Sequence, residues 1–201
     1  MATTILACGI FRPEIERVLP QVMKQFEGHD VELRFMEAAL HVDDRKLEET
    51  VSGELAEAGQ ESGGKTVLLY GKMCHPEMQR MAGGANAALP QAANCIELLL
   101  DPARKKALDE SEEIFYLTSG WLASWEEIFR KGLRWDEVDA RINFGRYDRI
   151  LVLDDGCFPI DEETLFAFFD YAQKPVEVEP VDLTYFQDTL ARLIEQAQAQ
   201  A

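Results

Sequence analysis

A thiol and an imidazole stand side by side in YGKMCHPEM, residues 70–78, where Cys74 and His75 follow the hydrophobic run TVLLY. Thiolate and imidazole are ligands for zinc and iron, and thiolates also hold iron–sulfur clusters. A thiol at such a place is equally a nucleophile if its surroundings favour the thiolate. The other soft donors are Cys8, Cys95, Cys157, His29 and His41. No two cysteines form a CxxC pair, and the spacings are far wider than those of structural zinc loops. A site made from them therefore has to be assembled by the fold. The plain alternative is that each cysteine packs as a small hydrophobe, and for Cys8 or Cys157 taken singly that is the stronger reading.

The elements that would do the assembling alternate along the chain. TTILACG (3–9), VELRFMEA (31–38), KTVLLYG (65–71), EEIFYLTSG (112–120), DRILVLDDG (148–156) and VEVEPV (176–181) read as strands. Between them lie helical periods at 13–26, 43–59, 121–133, 134–145, 161–173 and 184–198. Pro20 is expected to kink or split the first helix. Residues 76–89 begin as a helix that Gly83–Gly84 should break, and 92–100 reads as a short strand running into a helix. Thr184 with Gln187 fits a capping box. Strands alternating with helices imply an α/β fold with a mostly parallel, doubly wound sheet and helices on both faces. With no repeat or linker, residues 1–201 are expected to form a single domain.

Parallel strands all end on one edge of a sheet, and ligands bind outside that edge. Cys8 ends the first strand, Cys74 follows TVLLYG, Cys95 lies in or after the next short segment, and Cys157 follows ILVLDDG. His41 comes just after the second strand and His75 adjoins Cys74, while His29 sits in a preceding loop. Candidate metal ligands are thus Cys8, Cys74, Cys95, His41 and His75. The neighbouring Tyr70 and Gly71, the stretch Thr118, Ser119, Gly120 and Trp121, and Asp155 are candidates for the polar edge of a cofactor. Each has a bland reading: Thr118 or Ser119 as an N-cap, Trp121 as core, and the Asp-Gly at 155–156 as a turn.

Composition closes off several functions. Thirty-seven acidic side chains against 20 basic give a net charge of −17, which repels nucleic acid and anionic membranes. The opening MATTILACGIFRPEIERVL has no basic region before a short apolar run, and no stretch is long enough to span a bilayer. A cytoplasmic protein with reduced thiols is expected. Neither a phosphate loop nor a dinucleotide fingerprint is present.

The set ACGIF (7–11), ALH (39–41), YGKMC (70–74), NCIELLL (94–100), FYLTSGW (115–121) and DDG (154–156) resembles the DUF1638 family over about three quarters of the chain. The resemblance implies a single-domain α/β protein whose retained cysteines match Cys8, Cys74 and Cys95. It also implies an association with corrinoid-dependent methyltransferase systems, in a family with no settled activity. Three readings follow. The first is a metal- or cofactor-binding protein (zinc, iron, an iron–sulfur cluster or a corrinoid) serving corrinoid or one-carbon methyl metabolism. The second is a metal-free enzyme with Cys74 or Cys8 as nucleophile. The third is a non-catalytic partner of a methyltransferase or corrinoid protein.

Overall fold

The computed structural model describes residues 2–38, 40–61, 63 and 65–200, with the backbone alone for His41. The chain forms two compact units: one runs to Leu98 and resumes at Leu183, and the other is Leu99–Asp182. Each unit carries a three-stranded, wholly parallel sheet. The α/β character and the parallel pairing expected from the sequence are present. The strands are divided between two sheets of three rather than laid in one. Among the described residues, no helix is long and apolar enough to cross a membrane.

In the first unit β1 (Thr3–Cys8), β2 (Val31–Met36) and β3 (Thr66–Leu69) lie in the order β2-β1-β3. All six residues of β1 are buried, as a central strand covered on both faces requires. Helix α1 (Arg12–Val22) leads from β1 to β2, and α2 (Asp44–Glu61) leads from β2 back past β1 to β3. Parallel crossovers are right-handed, so this change of direction puts the two helices on opposite faces. A helix α3 (Met78–Gly84) packs on α2. The last helix of the chain, Thr184–Ala199, packs on α1, where Phe11 stacks on Phe186 at 5.4 Å. The reversal between β1 and β3 is a topological switch point, the place outside the carboxyl ends where open α/β sheets bind ligands.

In the second unit β4 (Ile114–Thr118), β5 (Arg149–Asp154) and β6 (Val176–Pro180) follow one another in order. Every step goes the same way, so the connecting helices share one face. They come after α4 (Ile96–Leu99) and α5 (Pro102–Asp109) in the chain. They are α6 (Ser119–Ala123), a π-helical stretch Glu126–Gly132, α7 (Glu137–Phe144) and α8 (Glu162–Ala172). Phe115, in register with Ile150 and through it with Val176, meets the edge of Phe144 at 5.0 Å on that face. Phe129, Phe144 and Phe168 complete an aromatic core with centroids 5.5–6.0 Å apart. On the opposite face Tyr116 donates its hydroxyl to Asp109 of α5 at 2.7 Å, and Arg149 reaches Glu112 and Glu177, each at 2.8 Å.

Several expectations are corrected. Pro20 does not split α1, which passes it by two residues before tightening into a 3-10 turn at Met23–Gln25. A proline so near the end removes little of the remaining ladder. No strand forms at 92–94; the backbone there bonds to Lys72 and Met73, and one parallel bridge, Val67 to Ala88, takes its place beside β3. Residues 121–133 divide into α6 and the π-helical stretch, with Ile128 and Phe129 buried. Leu183, not Thr184, caps the last helix, α9, and it does so without a side-chain bond. Helix α5 is unforeseen because it buries no residue fully; Asp101 starts it by accepting from the Ala103 and Arg104 amides at 2.9 and 3.1 Å.

Two substitutions measure how far the packing decides stability. A methyl group at Gly53, inside α2, meets nothing within 4 Å. Gly53→Ala is therefore expected to stabilise by about 0.5–1 kcal/mol in urea unfolding, through helix propensity alone. Phe168→Ala, which empties the aromatic core, is expected to cost about 3–5 kcal/mol in the same assay.

Candidate functional site

At the switch point of the first unit Cys8, Cys74 and Cys95 come near one another. Ala7 pairs with Leu69 in register, so the next residues, Cys8 and Tyr70, leave the sheet side by side. Gly9 follows Cys8 because a Cβ there would lie 2.6 Å from the Met36 carbonyl oxygen at the end of β2. Tyr70 is buried, and its oxygen lies against the Cys8 thiol with Cys74 also in electrostatic reach. That approach is looser than a formed hydrogen bond, since the oxygen has no partner in hydrogen-bond geometry among the described residues. Burial and the two sulfurs push the Tyr70 phenol well above its usual range.

Backbone contact brings in the third sulfur. A Cβ on Gly71 would lie 2.6 Å from the Asn94 nitrogen and closer still to the Ala93 carbonyl. Only glycine lets the two loops touch this way. They are joined by Lys72 N–H to Ala92 O and Met73 N–H to Ala93 O, both 2.9 Å, while Cys74 N–H closes a turn onto Gly71 O at 3.0 Å. On the far side, Asn94 Oδ1 accepts from the Ile96 and Glu97 amides at 3.1 and 3.2 Å, and the Glu97 carboxylate accepts from Ala93 N–H at 2.8 Å. These bonds fix Cys95 at the start of α4, beside Cys74.

The three thiols feel one another. Burial first, and Cys8 after it, push Cys74 up to about 11 against the pull of a backbone hydrogen bond at Gly71. Burial, then Cys74 and Cys8, push Cys95 up to about 12 against backbone hydrogen bonds at Cys95 and Ile96. Cys95 as a residue keeps some surface, but its sulfur is enclosed. Among the described residues, no three His, Cys, Asp or Glu side chains are already gathered as metal ligands. The sulfurs are neighbours, but they are not drawn to one point.

The histidines differ. His75 is buried and its Nδ1 accepts from the Glu77 amide at 3.0 Å, which leaves the proton on Nε2. Ligation through either ring nitrogen would have to break that arrangement. His41 sits on the 3-10 turn Leu40–Val42, and its side chain lies outside the described residues. A carboxylate that the sequence did not flag, Glu14, is fully buried in the first turn of α1, six positions after Cys8. An acid beside Pro13 at a helix start reads as an ordinary first-turn charge, so only its burial marks it out.

The other candidates belong to the second unit. Thr118 caps α6 by accepting from Trp121 N–H at 3.1 Å, and Ser119 donates to Asp155 at 3.2 Å. The same Asp155 oxygen accepts from the Cys157 amide at 2.8 Å, and Asp154 accepts from Gly156 at 2.9 Å, where φ is +70°. Gly120 is buried within α6. These residues do share the carboxyl edge of β4 and β5, but that sheet has no reversal of strand order, and these bonds serve a helix cap and an Asp-Gly turn.

The model of one family, described as a protein of unknown function (DUF1638), matches residues 35–190. The match takes in Tyr70, Cys74, Cys95 and the 118–121 stretch, and begins after Cys8. No curated protein and no solved structure matches the chain.

Two outcomes follow from this geometry. Folded protein at pH 7.5 should alkylate Cys74 and Cys95 about a hundredfold or more slower than urea-unfolded protein, read by mass spectrometry, because so little thiolate is present. The unfolded thiols lose their protons near about 8.5, while the folded ones hold them to about 11 and 12. The stability they contribute is therefore whole below about pH 8.5 and lost as pH climbs through the folded values, so urea midpoints should fall between pH 8.5 and 11, and less steeply in Cys95→Ala. Separately, Gly71→Ala should cost about 1–3 kcal/mol, because the neighbour it strikes is backbone.

Proposed function

The chain belongs to the DUF1638 family, and on that premise we propose that it binds a soft metal ion or a metal-containing cofactor through Cys8, Cys74 and Cys95 at the β1/β3 switch point. The observation that carries this is the approach of three thiols, from three separate segments, at the carboxyl edge where the strand order reverses. Burial, and after it repulsion between charged forms, keeps Cys74 and Cys95 protonated. A thiophilic cation removes that repulsion, displaces the protons and draws the sulfurs together. Zinc, iron and an iron–sulfur cluster suit such donors, as does the metal of a corrinoid. His41 is a fourth donor on this reading, and Tyr70 lies against Cys8.

Corrinoid or one-carbon methyl metabolism is the setting that the resemblance implies, with a corrinoid protein or methyltransferase as the partner. Free thiols call for a reducing compartment, which the cytoplasm provides. Burial counts against Cys74 as a metal-free nucleophile, because it takes that thiol away from the thiolate it would need at neutral pH.

The test is an anaerobic titration with Cd(II), following thiolate-to-metal absorption and released protons. One equivalent per chain is expected, with at least tenfold weaker binding in Cys8→Ser, Cys74→Ser and Cys95→Ser and unchanged binding in Cys157→Ser. Absence of the absorption band, together with no metal in anaerobically purified protein, ends this reading. A single cysteine that alkylates fast at pH 7.5 and ignores chelators would put the nucleophile in its place.

A further inference from the structure

Helix α8 carries apolar side chains on two opposite sides. Leu165, Phe166, Ala167, Phe168 and Phe169 follow in succession. Phe168 and Tyr171 are buried against the aromatic core. Phe166 lies two positions before Phe168, about 200° away on a helix, and is 66 % exposed; Phe169 beside it is 42 % exposed. Helices with this pattern are ordinarily covered on both sides.

The adjacent helix repeats the arrangement. On α7, Ala140 and Phe144 are buried one turn apart. Val138 and Ile142, each two positions earlier, point the opposite way and are 60 % and 71 % exposed. The β4-β5-β6 order puts α7 and α8 on one face of the sheet, and they pack against each other. Their outward residues therefore form one apolar surface across two neighbouring helices, with its members on both. Patches of this kind mark interaction sites.

Charge selects the occupant. Helix α8 carries Glu162, Glu163 and Asp170 and no Lys or Arg, while on α7 Asp139 stands against the single Arg141 and Glu137 is paired with Arg130 at 3.2 Å. An acidic border repels an anionic membrane. It also disfavours a second copy of a chain whose net charge is −17. The geometry points to docking of a cationic amphipathic helix from another protein: apolar anchors against Phe166, Phe169, Val138 and Ile142, and Lys or Arg towards the acidic border. This surface stands independently of the thiol site.

The probe is a fluorescent, blocked peptide of about four helical turns with Leu on one face and Lys on the other, alongside a Leu/Glu peptide of the same spacing. Anisotropy should report binding of the Leu/Lys peptide alone. Phe166→Ser combined with Phe169→Ser should weaken binding at least tenfold, and Ile142→Ser several-fold, with circular dichroism unchanged; the second variant decides if the first fails to fold. Glu162→Gln with Glu163→Gln should weaken binding and flatten its salt dependence. Peptide binding that ignores the apolar substitutions would be non-specific attraction to an acidic protein and would overturn the proposal. So would equal binding of the Leu/Glu peptide, or sedimentation showing a homodimer that the Phe166→Ser and Phe169→Ser changes abolish.

Discussion

The thiol edge depends on one backbone contact: the main chain at Gly71 lying directly on the main chain at Ala93–Asn94. Sulfur positions on two loops are otherwise independent, because loops lack the ladder that fixes strand register. Here two amide-to-carbonyl bonds join the loops, and Asn94 with Glu97 stiffens the second. The contact needs no side chain and leaves no room for one. It turns a distance of 21 positions in sequence, from Cys74 to Cys95, into adjacency in space.

The two sheets use the same parts to different ends because their strand orders differ. In β2-β1-β3 the chain reverses direction, so the helices that follow β1 and β2 go to opposite faces and the carboxyl ends of β1 and β3 form a switch point. In β4-β5-β6 nothing reverses, and the loops after β4 and β5 fold onto each other. Thr118, Ser119 and Asp155 sit where ligand-binding residues would sit, yet the bonds seen there hold a cap and a turn. The chemistry available at a strand end is decided by the neighbour of that strand as much as by the residue itself.

This also separates what the sequence made legible from what it hid. The buried strands were readable because TVLLY and ILVLDD are unbroken apolar runs, and the convergence of Cys8 and Cys74 followed from placing each at a strand end. Strand order was not readable: periodicity says that a segment is a strand, never which strand lies beside it, so six strands suggested one sheet. The pattern at 92–100 reads as a short strand holding or preceding Cys95, whereas a hydrogen-bonded loop delivers this residue and no strand does. Helix α5 lacked a buried stripe and so left no periodic signal. Glu14 was hidden because its residue type belongs at a helix start whether or not it is covered.

Burying three thiols together has a cost that packing alone does not require. Valine or alanine would fill the same volume without bringing one sulfur's charge against another. The cost stays small only while the thiols keep their protons, as burial makes Cys74 and Cys95 do through neutral pH. A cluster of that kind is quiet in isolation, because each thiolate formed opposes the loss of the next proton. Protonation thus protects the folded chain from its own thiolates: burial sets the cost of the first charge, and each neighbouring sulfur adds to the cost of the next.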